Sequence, residues 1–219
     1  MKNAFENPWP DGHRELTVLA LPDLGRTTAS DDGTRLAKVI DGVRKFAAPI
    51  PGLAPVPDAG LHLTIQPVNH GLFNMPPLGL DTVTTLSEEL RNLSADWSPF
   101  SLRMGSPVIG RTGITLDTDP EQPFSHLVDA VRQAIRSVCG PDSIGHDTRP
   151  GHMTIVCANR ELETDDFASQ LRRVRPSHAD MMVRSLVLAW VGQNVPETCY
   201  EFEIVERFKL AGSVEAGNE

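Results

Sequence analysis

Two short words in the chain carry the residue types of acid-base chemistry: His62-Leu63-Thr64-Ile65 and His152-Met153-Thr154-Ile155. Each sets an imidazole two residues before a hydroxyl. In a β-strand alternate side chains share a face, so His62, Thr64 and Gln66 point one way and Leu63, Ile65 and Pro67 the other. His152, Thr154 and Val156 likewise oppose Met153, Ile155 and Cys157. The imidazole and hydroxyl of each strand then stand about 6.6–7 Å apart. Two such strands side by side line a cleft with two His and two Thr. Cleaving a phosphodiester takes a base for the nucleophile and an acid for the departing oxygen. Two histidines with ordinary pKa values near ~6.5 supply both at neutral pH without a metal. The threonines donate to the non-bridging oxygens, where the transition state holds its negative charge. One such histidine by itself is ordinarily a hydrogen-bonded structural residue. What singles these out is their recurrence about half the chain apart, the mark of an internal duplication.

The elements around the two words repeat as well. Leu16 to Leu21 reads as a buried strand. Ser30 and Asp31 are caps for a helix with Leu36, Val39, Ile40, Val43 and Phe46 on one face. A Pro/Gly-rich connection from Pro49 to Gly60 precedes the first motif strand, residues 61–68. A helix from Asp81 to Asp96, with Asp81 as N-cap, leads to a strand pair, Phe100 to Met104 and Gly113 to Leu116. Turn signals stand at Gly105, Pro107 and Gly110. In the second half Pro123 fits the first turn of a helix bearing Phe124, Leu127, Val128, Val131, Ile135 and Val138, stopped by Gly140. A loop from Pro141 to Gly151 enters the second motif strand, residues 152–158. A short helix, Thr164 to Val174, and two strands, Met182 to Val191 and Tyr200 to Leu210, complete the plan. The expectation is one domain over residues 1–210 with a flexible tail at 211–219.

Composition narrows the partner. With Lys+Arg 20 against Asp+Glu 29 the net charge is −9. That disfavours an extended footprint on nucleic acid, which needs a basic face. Cys139, Cys157 and Cys199 are odd in number and widely spaced, without a CxxC pair, which argues against a disulfide framework or a thiolate zinc site. The stretch Met1–Glu15 is polar, carries Pro8 and Pro10, and does not read as a signal peptide. No apolar run reaches membrane-spanning length. A cytoplasmic monomer without membrane contact is the expectation.

At the paired motifs the chain resembles the two-histidine phosphoesterase superfamily, and within it the bacterial RNA 2',3'-cyclic phosphodiesterases, historically called 2'-5' RNA ligases. The likeness runs from Leu16 to about Leu210. It implies an α+β, bilobal, duplicated LigT-like fold, with two pseudo-symmetric lobes whose antiparallel sheets face a central groove. It implies metal-independent opening of a 2',3'-cyclic phosphate, on an RNA terminus or a nucleotide, to a 2'-phosphate, with no cofactor. His62, Thr64, His152 and Thr154 take the family's catalytic positions. Members often carry Pro directly before the second histidine, whereas here Arg149-Pro150-Gly151-His152 inserts a glycine. Two other outcomes stay open: a member turned to 2'-5' linkages, as ligase or phosphodiesterase, or to a small cyclic phosphate ester; and a non-catalytic module binding RNA ends or nucleotides.

Arg149, just ahead of the second motif, is the candidate for binding phosphate bidentately, with a solvent-exposed loop arginine as the competing reading. Asn69 and His70 fall at the groove rim or in a turn. Arg172, Arg173 and Arg175 read as a solvated helix face. Trp9, Phe73 and Trp190 are candidates for base stacking, Trp190 more naturally as core. The Gly145-His146-Asp147 word hints at a metal phosphohydrolase, but that class needs further helical His and Asp ligands. Cys157, placed on the apolar face, is no nucleophile.

Overall fold

A computed structural model describes residues 1–26, 31–68, 78–119 and 122–212. Nine strands are described: β1 (Arg14–Ala20), β2 (Leu53–Pro55), β3 (Leu63–Pro67), β4 (Phe100–Ile109), β5 (Gly113–Asp119), β6 (His152–Ala158), β7 (His178–Val183), β8 (Ser185–Asn194) and β9 (Cys199–Lys209). Four α-helices accompany them: α1 (Asp31–Ala47), α2 (Leu80–Asp96), α3 (Phe124–Cys139) and α4 (Asp165–Leu171). The strands form one antiparallel, curled sheet in the order β7-β4-β5-β6-β3-β1-β8-β9, with β2 pairing the far end of β6. The fold is of the α+β class expected, but its two sheets are wings of a single sheet. They meet where β3 and β6 pair through Leu63 and Met153.

Each wing is built from both halves of the chain. The β4–β5 pair, which follows the first motif in sequence, joins β6 and β7. The β8–β9 pair, which follows the second motif, joins β1 and β3. The expected strand Met182 to Val191 is therefore two strands. The chain leaves one wing at Val183, crosses at Arg184 and enters the other at Ser185. Helices α2 and α3 pack on each other beneath β3, β8 and β9, and α1 packs beneath β6 and β7.

The core matches the periodic apolar positions. Leu36, Val39, Ile40 and Val43 of α1 and Phe124, Leu127, Val128, Val131 and Ile135 of α3 are fully buried. They meet Leu63, Ile65, Met153 and Ile155, the apolar alternates of the two motif strands. Each such burial contributes about 1.5–3 kcal/mol, which pins the opposite face toward the cleft. Phe46 lies at the margin, its ring centre 6.2 Å from that of Phe167, and Val138 is half-buried against the core.

Several boundaries differ for local reasons. Gly79, not Asp81, is the N-cap of α2, its carbonyl accepting from Val83 N–H at 3.1 Å; Asp81 sits in the first turn, where a carboxylate favours the helix dipole. Pro123 is the N-cap of α3 rather than a first-turn residue. Gly140, at φ 92°, closes that helix by donating to the Arg136 carbonyl. Gly105 and Pro107 mark a register shift within β4, which runs on to Ile109, and the chain turns at Gly110. The Pro/Gly-rich connection contains β2 and a 3-10 turn at Asp58–Gly60. Ala211 and Gly212, expected in a loose tail, donate to the carbonyls of Ser94 and Trp97 at the end of α2. The expected cap Ser30 lies outside the described residues. Among the described residues no helix is long and apolar enough to cross a membrane.

Candidate active site

The two motif strands pack their helix-facing residues into the core and turn His62, Thr64, His152 and Thr154 into one cavity of about 400 Å³, which Arg149 also lines. His62 stands immediately before β3, and His152 is the first residue of β6. Each ring is held by the carbonyl two residues upstream: His62 Nδ1 lies 2.8 Å from Gly60 O, and His152 Nδ1 lies 3.1 Å from Pro150 O. A ring nitrogen facing a carbonyl must carry the proton when the imidazole is neutral. Nε2 is then the basic nitrogen of both rings. The same local loop geometry therefore sets the same tautomer twice.

Gly151 makes the second approach possible. Its Cα lies so near the Phe124 ring that an added Cβ would stand 2.7 Å from Cε1. Its carbonyl also accepts from Thr118 N–H at 2.9 Å, holding the loop to the end of β5.

Both motif strands bulge at the isoleucine of the repeated word. Against β1, Thr64 pairs with Leu19 and Gln66 with Val18, leaving Ile65 as the extra residue. Against β5, Thr154 pairs with Thr115 and Val156 with Ile114, leaving Ile155 extra. A bulge changes the phase of side-chain alternation. Gln66 and Val156, expected on the cleft face, are fully buried instead, with Gln66 Nε2 donating to the carbonyls of Pro67 and His146 at 3.1 and 3.3 Å. Pro67 and Cys157, expected on the apolar face, line the cavity. Burial pushes the Cys157 thiol up to about 11, with Cys199 nearby acting in the same direction. It stays protonated at neutral pH and is no nucleophile, although for another reason than the one its spacing suggested.

The two histidines differ in surroundings. His62 is half-buried, with the edges of Phe202 and Tyr200 at ring-centre distances of 4.9 and 6.1 Å. Burial lowers its pKa below the ordinary 6.5, the Gly60 carbonyl opposes the shift, and the charge of His152 adds to it. His152 is exposed.

Arg149 is not a free loop arginine. Its Nε and Nη2 donate to Asp147 at 2.8 and 2.5 Å, and its Nη1 donates to Asp129 at 3.1 Å. Arg132 reaches Asp147 at 3.2 Å. The guanidinium of Arg149, with a smaller contribution from Arg132, holds the Asp147 carboxyl far below the usual carboxylate range. Arg149 thus reaches the cavity as part of a charge network, with its fork already engaged.

Of the other candidates, Trp9 lines the cavity and Trp190 packs against the core. Asn69, His70 and Phe73 lie outside the described residues. Arg172, Arg173 and Arg175 follow α4 away from the cavity, and Arg175 donates to the carbonyls of Arg172 and Val174. His146 and Asp147 line the cavity, but in a loop, and Asp147 is ion-paired as above. The sequence reading missed Glu15, Thr17 and Tyr200, which also line it. Glu15 and Thr17 carried a signal, since they alternate with Leu16 and Val18 along β1.

No family model and no curated protein matches the chain at the level of sequence. Solved structures do match it in fold. TT0787 of Thermus thermophilus superposes with a TM-score of 0.65 at 16% identity, covering 91% of this chain and 99% of that one. The LigT protein of E. coli, solved in complex with 3'-AMP, matches with a TM-score of 0.58 at 13% identity, covering 90% and 98%. The ATU0111 protein of Agrobacterium tumefaciens matches at 0.52 and 16%, covering 88% and 85%. At these identities the likeness establishes the fold, and the chemistry has to be argued from the site.

Proposed function

We propose that the chain is a two-histidine phosphoesterase that opens a 2',3'-cyclic phosphate to a 2'-phosphate at the end of an RNA or on a nucleotide. The observation that carries this reading is the doubled arrangement: two imidazoles on one cavity, each with Nδ1 on a carbonyl and Nε2 left as the basic nitrogen. His62 Nε2 takes a proton from water as the water oxygen bonds to phosphorus. The bond from phosphorus to the 3'-oxygen breaks, and protonated His152 delivers its proton to that oxygen. Thr64 and Thr154 donate to the non-bridging oxygens, and Arg149 adds positive charge at the rim. The half-buried His62, with its lowered pKa, suits the base; the exposed His152 suits the acid. Histidines supply both proton transfers, so the reaction calls for no cofactor. The fold match to LigT, which was solved with 3'-AMP, supports a nucleotide-sized ligand. We assign this activity to a monomeric cytoplasmic domain spanning residues 1–210.

The test is turnover of a 2',3'-cyclic nucleotide by His62→Ala and His152→Ala. Each substitution is expected to lower kcat by about 10²–10⁴, and EDTA is expected to leave the parent rate unchanged. Full activity in either variant, or loss of the parent rate to a chelator, contradicts the reading.

A further inference from the structure

The segment Lys2–Pro10 precedes the first strand and has no part in the duplicated plan, yet it is bonded across both wings. On the β4–β5–β6 side, Lys2 N–H donates to Arg111 O and Ala4 N–H to Ala158 O, each at 2.7 Å. Lys2 Nζ pairs with Glu161 at 2.6 Å on the same side. On the other wing, Trp9 N–H donates to the side-chain oxygen of Gln193 in β8 at 2.8 Å. Between these anchors Phe5 is buried and meets the Tyr200 ring edge-on at 5.3 Å. Tyr200 also contacts Trp9 at 5.9 Å and His62 at 6.1 Å. Ala4 and Trp9 both contribute to the cavity wall.

A cleft between two wings is open at its ends unless something crosses it. Here the arm crosses. The cavity beneath it, about 400 Å³, lies at the low end of small-molecule sites, typically ~300–1,000 Å³. That volume is on the scale of one nucleotide. The acidic total charge agrees, because a strand lying along the surface would want a basic track.

We propose that the arm Lys2–Pro10 is a specificity-determining strap that confines the substrate to a single nucleotide-sized cyclic phosphate ester, with Trp9 packing against its organic group. This rests on the cyclic-phosphate reading above and narrows it. On this proposal an RNA strand presenting its 3' end is disfavoured because the arm is bonded to both wings beside the cavity.

The experiment compares the intact chain, a variant lacking residues 2–10 and Trp9→Ala on two substrates. These are a 2',3'-cyclic mononucleotide and a ten-nucleotide RNA ending in a 2',3'-cyclic phosphate. The intact chain is expected to favour the mononucleotide in kcat/KM by at least tenfold. Removing the arm is expected to shrink that preference about tenfold. Trp9→Ala, which keeps the strap, is expected to raise the mononucleotide KM about tenfold while kcat changes much less, the scale of one lost stacking contact. Equal use of both substrates by the intact chain overturns the proposal, as does an unchanged length preference without the arm. If the arm-less variant fails to fold, Trp9→Ala decides alone: an unchanged KM overturns it. Calorimetry with the 2'-nucleotide separates this from failure of the underlying reading. Binding weakened by Trp9→Ala in a chain that turns over neither substrate keeps the strap and discards the phosphodiesterase. Absence of binding to nucleotide and RNA alike discards both.

Discussion

His62 and His152 occupy equivalent places in the two wings, and the comparison separates what the duplication fixes from what it leaves free. Backbone features are repeated: a carbonyl two residues upstream on Nδ1, a threonine two residues on, and a bulge at the following isoleucine. The side-chain shell is not. Around His62 the β9 aromatics Tyr200 and Phe202 close in, and the N-terminal arm backs them through Phe5. Around His152 the Arg149–Asp147–Asp129 network lies at the rim and the ring itself is exposed. A duplicated scaffold thus delivers two tautomerically equal imidazoles in unequal surroundings, and the proposed division into base and acid rests on that inequality.

The largest expected effects test whether the two histidines act as one unit. If they do, His62→Ala combined with His152→Ala loses little beyond the worse single variant, within about tenfold, because removing either partner already stops concerted proton transfer. Independent contributions would multiply instead, and single-turnover rates of the three variants distinguish the cases. Next come the threonines. Thr64→Val and Thr154→Val each remove a proposed donor to the phosphoryl oxygens, and kcat is expected to fall up to about 10²–10³ with KM less affected. A fall in only one of them would break the symmetry at the hydroxyls as well. Arg149→Ala is expected to act more weakly, mainly through KM and by about tenfold or less. Its guanidinium is already held by Asp147 and Asp129, so only part of its charge serves the ligand.

The smallest effect is on stability. Native His62 has a lowered pKa, so the unfolded chain takes up a proton near ~6.5 that the folded chain refuses. The stabilisation is present above that pH and is lost as pH falls through it toward the native value. Thermal melts at pH 7.5 and 5.5 should show a lower Tm at the acid pH, and His62→Gln should narrow the difference. An unchanged difference would mean that burial does not lower the pKa of His62.

The fold and the four central residues were legible because their signals are local. Helical periodicity marked α1 and α3, and the repeated His-x-Thr spacing marked the cleft strands. What stayed hidden depends on partners. The bulges at Ile65 and Ile155 arise in pairing with β1 and β5, so strict alternation misplaced Gln66, Pro67, Val156 and Cys157. The break at Arg184 exists because β7 and β8 pair in opposite wings, although Met182 to Val191 reads as one apolar run. The cap at Gly79 outcompetes Asp81 because its extended backbone admits the helix there. The arm had no periodicity at all, and only its anchors at Arg111, Ala158 and Gln193 give it a place.

The most direct test of the unequal pair is the pH dependence of kcat/KM for a 2',3'-cyclic mononucleotide, measured on the intact chain and on His62→Ala. The account predicts a bell for the intact chain, with its acid limb below the ordinary histidine value near ~6.5 because the base is the desolvated His62. It predicts that this limb disappears from the residual activity of His62→Ala while the alkaline limb remains. An acid limb that survives in His62→Ala would contradict it.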